Sequence, residues 1–290
     1  MRGRSDKQDA HCPGSVGTRH SRGVLALLVA ACSGTSGAVD GGSDDGGMVV
    51  GEEVVVPAGP FWMGCNDAVD PECSDDEYPY HEVTLPEFRI DKTEVTLTDY
   101  AVCLDAGRCE APDSGARCNW DVGARDGHPV NCISWSQAQN YCTSLGRRLP
   151  TEAEWEKAAR GTRGWRYPWG NDEASCDFAV FHSDSGSSCG REQPTWPVCS
   201  KMGGESPYGA CDMAGNVFEW VADWYEEGYY EESPAASPTG PASGTMRVLR
   251  GGAWLFGAEY LRSSHRSAID PSIRDVTLGF RCASTSSSTR

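Results

Sequence analysis

Cysteine is the residue that most narrows what this chain can become: fourteen of them are spread over 290 residues. Thiols at that density belong to an oxidising compartment, where disulfides staple a chain that builds little regular structure. Ten lie close in sequence, as Cys65/Cys73, Cys103/Cys109, Cys118/Cys132, Cys176/Cys189 and Cys199/Cys211. Pairing between such neighbours is the simplest framework, although spacing alone fixes no connectivity. Zinc is the rival use for clustered cysteines. Its structural sites are commonly built on a Cys-x-x-Cys spacing, and the sequence contains none. Disulfides are therefore expected.

The N-terminus agrees with export. Residues 1–31 hold five basic and two acidic groups, and Val24-Leu25-Ala26-Leu27-Leu28-Val29-Ala30-Ala31 is an eight-residue apolar run. A bilayer needs about 20 such residues, so the run suits the h-region of a signal peptide instead. It ends in Val29-Ala30-Ala31-Cys32, which resembles a bacterial lipobox. Residues 1–31 are thus expected to be removed and Cys32 lipidated. The alternative is plain secretion after an Ala-x-Ala-like cut, with Cys32 incidental. Residues 32–51 are mostly Gly, Ser and Asp and read as a flexible tether. The expected location is the periplasm or the cell surface, with the lipid anchor as the one contact with membrane. Formal charge is −17 overall, and with +3 in the lead the remainder carries −20. That acidity argues against nucleic acid or an anionic membrane surface as a partner.

Residues 52–285 read as one domain, followed by a short tail over 286–290. Hydrophobic residues are 39% of the chain and include ten tryptophans, enough for a packed core. Val54 to Gly64 reads as strand, turn and strand, an opening hairpin, and His81 to Leu85 as an alternating strand. Capping signals start three helices: Thr96 with Asp99, Ser134 with Gln137, and Thr151 with Glu154. The second is expected to stop at Gly146 and the third near Gly161. Glu152, Glu154 and Glu156 are expected on the cap and solvent face of the third helix. Beyond Gly161 regular structure thins out. Leu278 to Cys282 reads as a last short strand.

Three stretches carry the rest of the information: RLPTEAEWE over 148–156, YGACDMAGNVFEWVADWY over 208–225, and RVLRGGAWLFGAEYLRSSHRSAIDPSIRDVTLGFRC over 247–282. Gly251 and Gly252 leave room for close backbone approach. Arg250, Arg262, Arg266, Arg274 and Arg281 can fork into carboxylates or carbonyls and hold an irregular loop. Together these stretches resemble the formylglycine-generating enzyme family, also called sulfatase-modifying factors. The resemblance implies an α+β, C-type-lectin-like fold with small sheets, short helices and much irregular chain. It also implies a bridge between Cys142 and Cys282.

Active members of that family resemble a copper(I) oxidase that converts a cysteine of a Cys-x-Pro-x-Arg sulfatase motif to formylglycine. Two cysteines hold the metal there; this chain has Phe256 and Leu261 at those positions. Soft copper(I) needs thiolates, so copper is not expected. Other relatives use iron held by histidines and a carboxylate, for which His265 and Glu259 are candidates. Calcium is the metal expected instead. Asp212 and Glu219 with the Gly215 and Val217 carbonyls form an all-oxygen set in a stretch read as extended. The family's structural calcium uses the same positions. A second, weaker family site would use Asp177 and the Phe178 carbonyl. The expected function is non-catalytic recognition of a protein or glycan ligand by a face containing Trp254, Phe256, Tyr260, Arg262 and Arg266. The alternative is an oxidoreductase with a different metal site, acting on a sulfur group or peptide.

Overall fold

Each of the three main helices begins at its expected capping box: α1 (Leu97–Asp105) at Thr96/Asp99, α2 (Trp135–Ser144) at Ser134/Gln137, and α3 (Glu152–Arg160) at Thr151/Glu154. In each box the cap hydroxyl accepts the third helical amide, and the third side chain accepts the cap amide. Two of the donors that every helix start leaves orphaned are thereby satisfied. Gly146 and Gly161, with φ of 69° and 66°, close α2 and α3 in the left-handed region. These coordinates are a computed structural model describing residues 51–120, 122–183, 189 and 195–285. The expected signal peptide, the expected lipidation site Cys32, nearly all of the expected tether and the tail lie outside the described residues.

The strands form three small sheets. β1 (Glu53–Val56), β4 (Phe88–Asp91) and β9 (Ala283–Thr285) make an antiparallel sheet in the order β1–β4–β9. β2 (Gly59–Met63) pairs antiparallel with β3 (His81–Leu85). The third sheet has the order β7–β6–β5–β8, from β7 (Ser267–Ile269), β6 (Arg247–Arg250), β5 (Phe218–Trp224) and β8 (Leu278–Gly279). Its β5–β8 contact is parallel. A one-turn helix, α4 (Tyr229–Glu232), follows β5. The architecture is α+β, as expected.

Two expectations about strands need correction. The opening strands β1 and β2 do not form a hairpin with each other; they pair into different sheets. The buried Lys157 Nζ donates to the Pro57 and Gly59 carbonyls at 2.7 and 2.9 Å, taking acceptors at the turn for α3. Likewise Leu278 to Cys282 is not one strand. β8 ends at Gly279, and the chain leaves the sheet to bury Arg281 before β9 forms elsewhere.

α3 sits at the centre. Its Trp155, Ala158 and Ala159 pack with Phe61, Val83, Met213, Val221 and Val248 in one core cluster. A second cluster joins α1 and α2 to the third sheet through Tyr100, Tyr141, Trp220 and Phe280. The sequence reading puts the α3 carboxylates on a cap and a solvent face, and only the cap is there. Glu152, Glu154 and Glu156 are all buried. Glu152 meets Arg266 at 2.8 Å, Glu154 meets Arg148 at 2.6 Å, and Glu156 meets Arg250 at 2.5 Å and Arg160 at 3.1 Å. Ion pairing offsets the cost of removing these charges from water.

Six disulfides complete the frame. The five sequence-neighbour pairs and Cys142–Cys282 all form. All twelve cysteines of the described domain are consumed.

Candidate functional site

The loop after β6 turns on Gly251 and Gly252, both at positive φ. A Cβ at Gly252 would lie 2.7 Å from the Tyr260 carbonyl oxygen, so the loop folds back on itself only with glycine there. That fold-back sets Phe256 against Tyr260, with ring centroids 4.9 Å apart, and edge-on to Phe218 at 5.1 Å. Leu261 enters a different cluster, fully buried with Tyr167, Ala179, Phe181 and Ala214. Beside Phe256 opens a cavity of about 330 Å³ lined by Phe218, Leu249, Leu255, Ile269 and Leu278. All four strands of the third sheet contribute to it or its rim. Asp275 stands at the edge, its carboxylate accepting from the Thr277 amide at 2.9 Å and hydroxyl at 2.6 Å.

Only part of the expected ligand face is on this surface. Phe256 is half-buried on the cavity wall, and Tyr260, also half-buried, packs behind it. Trp254 is buried, its indole donating to the Val276 carbonyl at 3.3 Å. Arg262 and Arg266 are interior groups. Arg262 spans Asp70 at 2.9 Å and Glu77 at 2.6 Å, and Arg266 forks onto Glu152 at 2.8 and 3.1 Å. Each guanidinium is buried among carboxylates and cannot meet a ligand without abandoning them. That removes both arginines from the face.

The second constellation lies between β5 and the turn before it. Asp212, Gly215 and Asn216 take φ of 54°, 85° and 59°, so this stretch is a run of tight turns, not the extended backbone expected. A Cβ at Gly215 would fall 2.5 Å from the Val180 carbonyl oxygen. Asp212 is buried and accepts the Cys199 amide. Glu219 accepts the Trp155 indole at 2.9 Å and both arms of Arg281 at 2.7 Å. A third carboxylate, absent from the sequence reading, joins them. Glu94 is fully buried and accepts the Asn216 side chain at 2.7 Å and the Val217 amide at 3.1 Å. Its only signal in the sequence is a single acid just ahead of the α1 cap. Burial, then the charges of Asp212 and Glu219, push the Glu94 carboxyl well above its ordinary range. Burial raises Asp212 to about 6. Three buried carboxylates here face one guanidinium.

The weaker candidates stay apart. Asp177 is exposed, and the Phe178 carbonyl is pressed onto Gly204, where a Cβ would come within 1.9 Å. Glu259 is exposed. The His265 ring lies 4.8 Å from Tyr260, and burial with the charges of Arg262 and Arg250 lowers it to about 3. Among the described residues, the groups of three metal-ligand side chains are Cys65, Asp70, Cys73 and Cys199, Glu205, Cys211. Both groups contain the two sulfurs of one disulfide.

A family model for the sulfatase-modifying factor enzyme 1-like domain matches residues 44–286. The chain belongs to that family. It is 36% identical over 282 residues to the formylglycine-generating enzyme of Streptomyces coelicolor, covering 80% of this chain and 88% of that enzyme. Serine/threonine-protein kinase Pkn1 of Chlamydia trachomatis is 35% identical over 252 residues, covering 80% of this chain. This chain spans only 38% of that relative's length. Hercynine oxygenase of Mycolicibacterium smegmatis is 32% identical, covering 81% of this chain and 61% of the oxygenase. The solved structure of PvdO from Pseudomonas aeruginosa superposes with a TM-score of 0.69 at 28% identity, over 81% of this chain and 94% of that one.

The residues present discriminate between the metals that the sulfatase-modifying factor family implies. Copper(I) does not fit. A soft ion needs thiolates, and the twelve cysteines of the described domain are all in disulfides, while Phe256 and Leu261, the positions the resemblance would give to ligands, pack in separate apolar clusters. Calcium matches the other constellation in donor type, although there both Glu219 oxygens accept from Arg281 or Trp155 and Asp212 accepts the Cys199 amide. Its donors are all oxygens, and the excess of buried negative charge is what a hard cation neutralises. Asp212, Glu219 and the Gly215 and Val217 carbonyls are the expected donors, with Glu94 adding charge behind them.

Proposed function

We propose that this member of the sulfatase-modifying factor family is a non-catalytic recognition domain, exported and held to the membrane through a lipid on Cys32, with calcium bracing its second half. One observation supports the reading: every cysteine of the described domain is in a disulfide, and Phe256 and Leu261, which the family resemblance puts at the thiolate positions of active relatives, are packed in two apolar clusters. The ligand, a protein or a glycan, would enter the cavity beside Phe256 with an apolar group. Aromatic and aliphatic walls of this kind supply most of the binding energy in small recognition pockets. The relative named hercynine oxygenase suggests an oxygenase as the second reading, but among the described residues His265 and Glu259 belong to no convergent group of metal-ligand side chains.

The test is chemical. Purified protein should hold no free thiol and no stoichiometric copper, and it should leave the cysteine of a Cys-x-Pro-x-Arg peptide unoxidised under oxygen. Formylglycine in that peptide, or one copper per chain, would return the protein to the enzymes. The anchor is tested separately. Cys32→Ser should release the protein from the membrane fraction and change its N-terminal mass; a membrane-bound variant of unchanged mass would refute lipidation.

A further inference from the structure

The outer face of the β2–β3 pair offers a second binding surface. Along β2, Phe61 and Met63 point into the core while Pro60 and Trp62 point out; opposite them Glu82 and Thr84 point out of β3. Tyr80 continues that outward alternation just before β3. The Trp62 indole is 44% exposed and lies nearly parallel to the Tyr80 ring, at 5.1 Å and 27°. The aromatic strip continues past Gly164, where a Cβ would lie 2.3 Å from the Tyr80 hydroxyl. Beyond it Trp165, with Arg163 over its ring at 4.8 Å, lines a cavity of about 370 Å³ with Gly161, Pro207 and Tyr208.

We propose that this strip binds a neutral glycan, with one sugar ring stacked on Trp62 and a neighbouring unit in the cavity beside Trp165. The ring geometry selects the ligand class. A cage for a quaternary ammonium needs rings set around a box, whereas Trp62 and Tyr80 lie parallel and leave one flat face. A proline-rich segment docks in slots between aromatic ridges, and the Trp62–Tyr80 stack is closed. A flat, exposed indole instead matches the apolar C–H face of a pyranose. The polar groups then supply direction. Glu82 is the register partner of Trp62, and an ionised carboxylate accepts two hydroxyls at once. Asp67 and Glu82 are both exposed, on a chain of net charge −17. That field disfavours uronic or sulfated sugars. This surface is independent of the Phe256 cavity.

Titration calorimetry of the purified protein with cellohexaose, maltohexaose and chitohexaose tests the proposal, with a heparin hexasaccharide and decaproline as comparators. At least one neutral hexamer should bind with Kd of about 1 mM or tighter. Trp62→Ala should weaken that binding about tenfold or more while the protein still melts cooperatively well above the assay temperature, and Glu82→Ala should weaken it less. Trp165→Ala should weaken the hexamer more than the matching disaccharide, because only the longer chain reaches the cavity. Absence of binding by all three neutral hexamers overturns the assignment. So does affinity unchanged by Trp62→Ala, or tighter binding of heparin or decaproline.

Discussion

Two charged interiors lie on either side of α3, and they are built on different arithmetic. On one side Arg160, Arg250, Arg262 and Arg266 meet Asp70, Glu77, Glu152 and Glu156, four guanidiniums against four carboxylates. On the other, Arg281 is the one buried guanidinium among the described residues facing Glu94, Asp212 and Glu219, with Lys201 acting on Asp212 from the rim. Both interiors are buried. Taking a charge out of water costs several kcal/mol per ion unless it is paired, so the first interior is complete in itself and the second is not. The difference bears on where the proposed calcium would sit. An excess of buried carboxylate is a stronger argument for calcium than the spacing of Asp212 and Glu219, which a structural ion pair would also satisfy.

The sharpest way to break the contrast is to remove one arginine from each side. Stripping one partner from a buried pair costs about 3–5 kcal/mol. Arg262→Met bares Glu77, while Asp70 keeps Arg166 at 3.3 Å. Arg281→Met unpairs Glu219 and also removes the positive charge that acts on Glu94 and Asp212, so it is expected to cost more. Urea midpoints read both losses, and millimolar calcium should restore part of the Arg281→Met loss and none of the Arg262→Met loss. Equal losses without a calcium effect would erase the distinction. Next in size is the disulfide beside Arg281. Cys142–Cys282 spans 140 residues, against 6 for Cys103–Cys109. Its removal as the double alanine variant should cost about 2–5 kcal/mol, and removal of the shorter bridge less. A larger loss at the short loop would show that Arg281 is held without its neighbour.

What the sequence disclosed and what it hid divide by distance along the chain. Capping boxes act over three residues, so Thr96, Ser134 and Thr151 were legible as helix starts. Most disulfides close short loops and were equally visible as neighbouring cysteines. Glu94 was hidden because its partners Asn216 and Val217 lie 122 and 123 residues away. The α3 carboxylates were misplaced on solvent for the same reason: Glu152 finds Arg266 across 114 residues. Phe256 and Leu261 were identifiable as positions, but not as members of two different packing clusters. Local hydrogen-bond chemistry is written in local sequence; charge balance in an interior is a property of the fold.

Calcium itself comes next. A ligand that binds only the folded state adds about 2.7 kcal/mol at a concentration 100-fold above its Kd. Chelation should therefore lower Tm, and Glu219→Ala, already destabilised by freeing Arg281, should show no further response to chelator. Scanning calorimetry with and without chelator reads both. Identical melting of the native protein in the two conditions would mean that the carboxylate excess is resolved by protons and not by metal.

The last expected effect concerns a further carboxylate beside the balanced interior. Asp223 on β5 is buried and accepts the Glu152 amide at the start of α3 at 2.8 Å. Gly240 closes over it, where a Cβ would lie 2.8 Å from the Asp223 Cβ. Burial first, and then the charge of Glu152, raise its carboxyl from an ordinary 3.8 to about 8. The sign follows from proton linkage. Between those two values the native state keeps a proton that the unfolded chain has released, so this contribution to stability falls as pH rises through the window and is complete below it. Asp223→Asn keeps the acceptor oxygen and the shape while removing the titration. The variant should match the wild type near pH 4 and exceed it at pH 8 by at least about 1 kcal/mol, the worth of one pKa unit. Urea denaturation of the two proteins across that range gives the difference directly, and calcium should leave it unchanged. Parallel stability curves would show that Asp223 is ionised in the folded protein. In that case an ionised carboxylate without a guanidinium bonded to it would be tolerated beside α3, and the carboxylate count around Arg281 would lose its force as an argument for a cation.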